Sequence, residues 1–367
     1  MKIVHSEPPY INPALRFRPG EVPSGEIGWR SPSNIALVKY WGKKPVQIPQ
    51  NPSVSFTLRN SYSETRVSYA PSVSGGVEME FYFENKRNET FEQKTKAFFE
   101  SLADIFPFVR QMKFVIRSGN TFPHSAGIAS SASGMSVLAM VLCDMERTFF
   151  GTLQNEADFR RKASYVARLG SGSASRSVYG GVVIWGETEN VPGTSDLYGL
   201  PVGDTLHEMY KTYQDTILLV DAGEKKVSSR VGHSLMNSNP FAAERFGQAH
   251  RNMKTLLDAM RRGDSETFIR VTESEALTLH AMMMTSQPYF VLMKPNTLQI
   301  IEKVFAFREK TGLPVSFTLD AGPNVHLLYP AEIKQEVLPF IKNELAHFLS
   351  PLGFIEDEVG NGPQKIE

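Results

Sequence analysis

Along the chain, the spacing of apolar and polar positions changes character several times. Between residues 53 and 83 the segments SVSFTL, ETRVSYA and VEMEFYF alternate polar with apolar or β-branched residues, the period of half-buried strands, so a sheet begins early. Apolar residues then recur three and four positions apart over 90–102, 131–146 and 156–169, which predicts three amphipathic helices, and YGGVVIW after them predicts another strand. Residues 202–213 turn polar before TILLVDAG starts a fresh strand, which sets a boundary near residue 205. Helical periodicity returns over 240–262, 265–283, 297–311 and 331–349, with the strands PVSFTLD and NVHLLYP between the last two. Strands and helices mix without regular βαβ alternation, so the class is α+β. Residues 1–30 are rich in Pro and Gly and read as an irregular extension, leaving a first domain over 31–205 and a second over 206–367.

The chain has 367 residues of which 41% are hydrophobic, enough for two cores and a cleft between them. Lys plus Arg and Asp plus Glu are both 39, so no broad field recruits nucleic acid or an anionic membrane, and any anion site is local. One cysteine, Cys143, excludes an internal disulfide framework and a multi-cysteine zinc site, and its apolar setting predicts core packing. The start lacks the apolar stretch of a signal peptide and no run is long enough to span a bilayer, so a cytoplasmic location is expected.

Four segments carry candidate chemistry. PHSAGIASSASG (residues 123–134) sets glycines and small hydroxyl residues before a strong helix, an arrangement that aims backbone N–H groups at a phosphate; it reads equally as a Ser-capped helix, and it is neither GxxxxGK[ST] nor GxGxxG. SPSNIALVKYWGKK (31–44) places Lys39, Tyr40 and Lys43 just beyond a short apolar strand, where lysines face either an anionic ligand or water. GSGSASRS (170–177) combines hydroxyl donors with the guanidinium of Arg176, a set that suits a carboxylate and also suits a flexible turn. LDAGPNVHLLY (319–329) puts Asp320 at a strand end beside a Gly-Pro turn, as a base or as a turn cap.

Taken together, NIALVKYWGK, SAGIASSASG, GSGSASRS and DAGPN resemble, in order and separation, the motifs of the GHMP kinase superfamily and specifically its mevalonate diphosphate decarboxylase branch. The resemblance covers roughly residues 30–350, and KKVSSRVG (225–232) and ESEALTLHAMMMTS (273–286) add to it. It implies a two-domain GHMP kinase fold, with an N-terminal domain like the second domain of ribosomal protein S5, a ferredoxin-like C-terminal domain and a site between them. It also implies ATP-dependent decarboxylation of mevalonate 5-diphosphate to isopentenyl diphosphate, with ATP and Mg2+ as cofactors and a homodimer as the assembly.

The resemblance further implies roles. Gly127, Ala129, Ser130 and Ser131 would wrap the ATP phosphates, with magnesium bridging those phosphates and no side chain assigned to the metal. Arg176, with Asn34 and the hydroxyls of Ser171 and Ser173, would hold the substrate carboxylate, while Tyr40, Lys43, Ser229 and Arg230 would take its terminal phosphates. Asp320 would receive or orient the proton of the C3 hydroxyl, and Lys39 would face that aspartate. Three residues depart from the family pattern: His124 in the loop, Ser175 where Cys is usual, and His233 where an apolar residue is usual near the substrate. The alternatives are a mevalonate 5-phosphate decarboxylase, an enzyme that phosphorylates the 3-hydroxyl and stops, and a non-catalytic ligand sensor. Lys43, Ser229 and Arg230 favour the diphosphate, and the presence of both Asp320 and Arg176 favours decarboxylation.

Overall fold

The computed structural model describes residues 10–123, 128–221, 223 and 229–367, with the backbone alone described at 229 and 230. The first half of the chain forms β1 (Gly25–Val38), β2 (Lys43–Lys44), β3 (Ile48–Pro49), β4 (Ser53–Pro71), β5 (Glu78–Phe83), β6 (Lys86–Arg87), α1 (Glu89–Ser101), β7 (Met112–Asn120), α2 (Ser130–Phe150), α3 (Glu156–Gly170), β8 (Val182–Trp185) and β9 (Gly199–Pro201). The second half forms β10 (Gln214–Leu218), α4 (Ser229–Leu235), α5 (Ala242–Arg262), α6 (Ser265–Met284), α7 (Pro295–Thr311), β11 (Ser316–Leu319), β12 (Val325–Tyr329), α8 (Lys334–Phe340), β13 (Phe354–Glu358) and β14 (Gln364–Ile366).

The first sheet runs β14-β1-β4-β7-β5-β6, with β8 and β9 attached to β4. SVSFTL and ETRVSYA, expected as two strands, are the two ends of the single 19-residue β4. Its first part pairs with β8 and its second with β7, so one long strand serves two neighbours. Against β1 the register slips between Pro32↔Tyr62 and Asn34↔Thr57, and the surplus residues 58–61 bulge. The N–H groups freed there need partners, and the carboxylate of Asp357, from β13, accepts all three, from Arg59, Asn60 and Ser61, at 2.8–2.9 Å. β7 carries Met112, Phe114 and Ile116 buried at period two, a strand signature that the expected elements omitted.

α2 is buried on most of its circumference because it lies between the sheet and α3, and Cys143 is in that core as its apolar surroundings predict. The second sheet, β11-β12-β10-β13, has both faces covered. Leu218, Leu327 and Tyr329 face α7 and α8, while Ile217 and Leu328 join Leu37, Phe56, Leu256 and Phe268 in a core shared with the first sheet. The helix expected over 331–349 is instead broken into a short 3-10 turn, α8, the π turn Ile341–Leu345 and a last 3-10 turn. Pro339 inside α8 has no N–H to donate, which is a physical reason for the break. The tail, grouped with the second half by sequence, returns to the first sheet as β14 along the edge of β1.

Candidate active site

The site forms where β1 ends. Its last ladder pair is Val38↔Val54, after which the chain leaves the sheet carrying Lys39, Tyr40 and Trp41 inward. Lys39 is 1% exposed, its Nζ donating to the carbonyl of Ala36. Burial lowers Lys39 to about 8, opposed first by Asp320 and then by Glu275. Gly42 N–H donates to His233 Nδ1 at 3.0 Å, so the neutral imidazole carries its proton on Nε2. His233 lies against the rings of Tyr40 and Trp41, centroids 4.3 and 4.7 Å away, and burial together with Lys43 lowers it to about 3. The family departure at this position is therefore a neutral histidine. The close seating of α4 needs Gly232, since a Cβ there would come 2.4 Å from Trp41.

GSGSASRS does not form a flexible turn. It folds as the 3-10 helix Gly172–Val178, held by Ser164 Oγ donating to Ser175 O at 2.7 Å and Asn34 Nδ2 donating to Ser173 O and Ser177 Oγ at 3.1 and 2.8 Å. Gly172 sits where a Cβ would fall 2.5 Å from Trp185 and 2.9 Å from the Tyr40 hydroxyl. Ser175 turns its hydroxyl onto Gly172 O, so this departure from the family pattern is absorbed inside the turn. Arg176, 2% exposed, donates Nε to Ser55 Oγ at 2.9 Å and, more weakly, Nε and Nη2 to Asn34 Oδ1 at 3.4 and 3.3 Å. Its Nη1 is buried without a partner among the described residues, as is the Tyr40 hydroxyl. Burial lowers Arg176 to about 10, opposed by Tyr40 and Asp320, and pushes the Tyr40 hydroxyl well above its ordinary range so that it remains a donor.

Asp320 follows β11 and is half-buried. Its main-chain carbonyl accepts from Gly322 N–H at 2.7 Å and faces His280 Nε2 at 3.1 Å. Its charge acts on Lys39, Arg176, His233 and His280 alike, which makes it the anion the cluster shares.

The helix after the Gly/Ser loop is not Ser-capped. Ala129, in the left-handed region at φ 42, holds the N-cap position, and Ser130 and Ser131 fall in the first turn of α2. A seam of hydroxyls seats that turn on the sheet: Ser33 Oγ on Ile128 O, Ser31 on Ser136, and Ser63 on Ser133, all at 2.6–2.7 Å. Exposed Ser131 lies 3.4 Å from Ser171, hydroxyl to hydroxyl, so the candidate nucleotide turn adjoins the turn bearing Arg176. Ser173 is half-buried and meets Asn34 through its carbonyl; Lys43 is half-buried with its ammonium on Gln47 at 3.0 Å. Gly127 and His124 lie outside the described residues, and the side chains of Ser229 and Arg230 are likewise outside them, although their backbone opens α4.

Sequence reasoning passed over Glu275, Arg245 and His280, all buried within the second half. A signal existed: Arg245 shares its helix face with Ala249, Met253 and Leu256, and Glu275 with Val271, Leu279 and Met282, and a charge in register with a buried stripe needs a partner.

Comparison with known proteins follows the same division of the chain. Residues 31–197 match the diphosphomevalonate decarboxylase-like N-terminal domain, and residues 216–362 match the mevalonate 5-diphosphate decarboxylase C-terminal domain. The diphosphomevalonate decarboxylase of Ganoderma lucidum is 30% identical over 88% of this chain and 84% of its own, and that of Candida albicans 28% over 91% and 96%. Among solved structures, mevalonate diphosphate decarboxylase from Staphylococcus aureus is 28% identical with a TM-score of 0.80, covering 94% of this chain and 99% of that one. MDDEF in complex with MVAPP, AMPPCP and magnesium is 28% identical with a TM-score of 0.79, covering 94% and 100%. Both halves and a GHMP kinase fold along nearly the whole chain agree: the chain belongs to the diphosphomevalonate decarboxylase family.

Proposed function

We infer that this protein converts mevalonate 5-diphosphate and ATP to isopentenyl diphosphate, ADP, phosphate and carbon dioxide. The observation that carries the reading is the pair of buried donors without partners among the described residues, Arg176 Nη1 and Tyr40 OH, set beside a lysine and an aspartate. Such groups are costly to bury unless a ligand completes them. A carboxylate on Arg176 Nη1 and a phosphate oxygen on Tyr40 OH fit, and Asn34 and Ser55 hold the guanidinium so that Nη1 alone is presented. In this reading Lys43, Ser229 and Arg230 take the remaining charge of the diphosphate.

ATP fits the turn at α2: the helix opens with an alanine rather than a capping side chain, its first N–H groups carry the positive end of the dipole, and Ser130 and Ser131 add hydroxyls. Magnesium binds phosphate oxygens and waters readily and needs no dedicated protein cage. Bound with ATP, it would neutralise charge on the transferring phosphoryl group.

Asp320 orients the C3 hydroxyl and takes its proton as the γ-phosphoryl arrives, and Lys39 balances the aspartate. The tertiary phosphate then leaves, charge develops at C3, and the carboxylate held by Arg176 leaves as carbon dioxide with its electron pair forming the alkene. The task of the side chains is positioning and electrostatic stabilisation in a buried site. The reading extends to a cytoplasmic homodimer, supported by the family resemblance, with lobes divided near residue 205 as the sequence suggests, except that residues 25–30, read from sequence as irregular, open β1, and β14 completes the same first sheet; among the described residues no helix is long and apolar enough to cross a membrane.

The test is to offer purified protein ATP and magnesium with mevalonate, its 5-phosphate or its 5-diphosphate, and to measure ADP and carbon dioxide. Both products should form efficiently from the 5-diphosphate alone. ADP without carbon dioxide indicates a 3-kinase, equal turnover of the 5-phosphate a monophosphate decarboxylase, and no ADP a sensor.

A further inference from the structure

The stretch ESEALTLHAMMMTS has no role in the reaction as set out above, yet it contains a fully buried carboxylate. Glu275, on α6, accepts from Arg245 Nη1 and Nη2 at 2.9 and 2.5 Å, from Asn252 Nδ2 at 2.7 Å and from the backbone N–H of Lys39 at 2.8 Å. Arg245, on α5, extends Nη2 to the carbonyl of Lys39 at 3.2 Å, beside Asn51 Nδ2 at 3.1 Å. One ion pair from the second half thus grips both main-chain polar groups of Lys39, immediately after β1 has run out of ladder partners. The side chains of the pair are 1% and 0% exposed.

A buried ion pair is poor evidence of a stability role, because apolar replacements of similar volume are often as stable or more so. Its contacts point elsewhere. We propose that Glu275 and Arg245 are positioning residues for Lys39: the pair fixes the peptide from which the side chain springs, and Glu275 joins Asp320 in facing the ammonium with negative charge. This rests on Lys39 acting in the reaction described above.

The groups facing Lys39 come from every element packed around it. Asp320 after β11, Glu275 on α6 and Asp215 on β10 favour the ammonium, and Arg176 opposes it. Arg245 on α5 is spent on Glu275, Asp215 is paired with His326 at 2.8 Å, and His280 on α6 is lowered to about 4 and so neutral near pH 7. Loss of the Glu275 charge therefore moves Lys39 further down from about 8.

The experiment compares wild type with Glu275→Gln, which keeps size and removes charge, and with the double variant Arg245→Met/Glu275→Leu, which replaces the pair by apolar volume. For each, kcat and KM for both substrates are measured from pH 6 to 9.5 beside thermal unfolding. For Glu275→Gln the expected result is a fall of ~10–100-fold in kcat, KM within about twofold, and an alkaline limb moved down by about 0.5–1 pH unit. The double variant should unfold at or above the wild-type temperature and still lose kcat. Unchanged kcat and limb in either folded variant overturns the proposal, as does failure of both to fold, which makes the pair structural. If wild type itself does not turn over the diphosphate, it is the reaction assignment that fails.

Discussion

Arg176→Lys keeps a positive charge while removing the planar fork, so it isolates geometry from electrostatics. The structure states what is lost. Arg176 holds Ser55 Oγ at 2.9 Å and Asn34 Oδ1 at 3.3 Å, and presents one nitrogen, Nη1, without a partner among the described residues. A lysine ammonium cannot satisfy both anchors and still aim a donor along the Nη1 direction, so either the substrate contact or a buried acceptor is left unmet. A charge-assisted hydrogen bond contributes ~1.5–3 kcal/mol and an unmet buried acceptor costs ~1 kcal/mol or more. A combined loss of ~2–4 kcal/mol corresponds to roughly 30- to 1000-fold in kcat/KM.

A second effect follows from burial. Lys39, equally enclosed nearby, is held at about 8, and the burial that lowers Arg176 to about 10 would act on a lysine in its place. The replacement therefore sheds its proton in the mildly alkaline range, and the defect should deepen from pH 7 to pH 8.5. The assay is ADP and carbon dioxide release over that range, with thermal unfolding as a control for folding. A folded Arg176→Lys enzyme with kcat/KM within about fivefold of wild type, or with a defect independent of pH, would refute this account of the guanidinium.

Asp320→Asn, which keeps the size and much of the hydrogen-bonding capacity of the side chain, should lower ADP and carbon dioxide release together by ~10²–10⁴-fold while the protein still folds; retention of a tenth of turnover would identify a cap instead. Ser131→Ala removes an exposed hydroxyl 3.4 Å from Ser171 and should raise KM for ATP by several-fold, the worth of ~1 kcal/mol, with KM for the second substrate unchanged in steady-state titrations. In the pH profile, activity should fall as pH rises through about 8, where folded Lys39 loses its proton, and His233→Gln should leave the profile between pH 5 and 7 unchanged in shape, since His233 is lowered to about 3 and His280 to about 4. The same lowered histidines bind fewer protons folded than unfolded below pH 6.5, so stability should decline as pH drops beneath that value, and His233→Gln should flatten the decline in pH-resolved thermal melts.

Much of the helical framework was legible because amphipathic periodicity is local: the helices expected over 156–169 and 265–283 appear as Glu156–Gly170 and Ser265–Met284. The motifs were legible for a related reason, since a Gly/Ser turn, an Arg in a hydroxyl-rich turn and an Asp at a strand end each sit within a few residues of their support. What escaped depends on pairing across the chain. β14 has too few residues to announce itself and exists because the open edge of β1 accepts it. β13 reads FIEDE, a charged string, and its Asp357 makes sense only beside the bulge in β4, roughly three hundred positions earlier.

The sequence by itself determined the class of fold, the family and the residue types that bring charge to the junction, because periodicity, composition and short motifs are properties of neighbouring residues. Tertiary structure alone decided that Arg176 presents a nitrogen with no partner among the described residues, that His233 is held neutral with its proton on Nε2, and that Glu275 and Arg245 hold Lys39 from the other half of the chain. Burial and hydrogen-bond completion set those properties, and both depend on which distant segments enclose a side chain once the two sheets share a core.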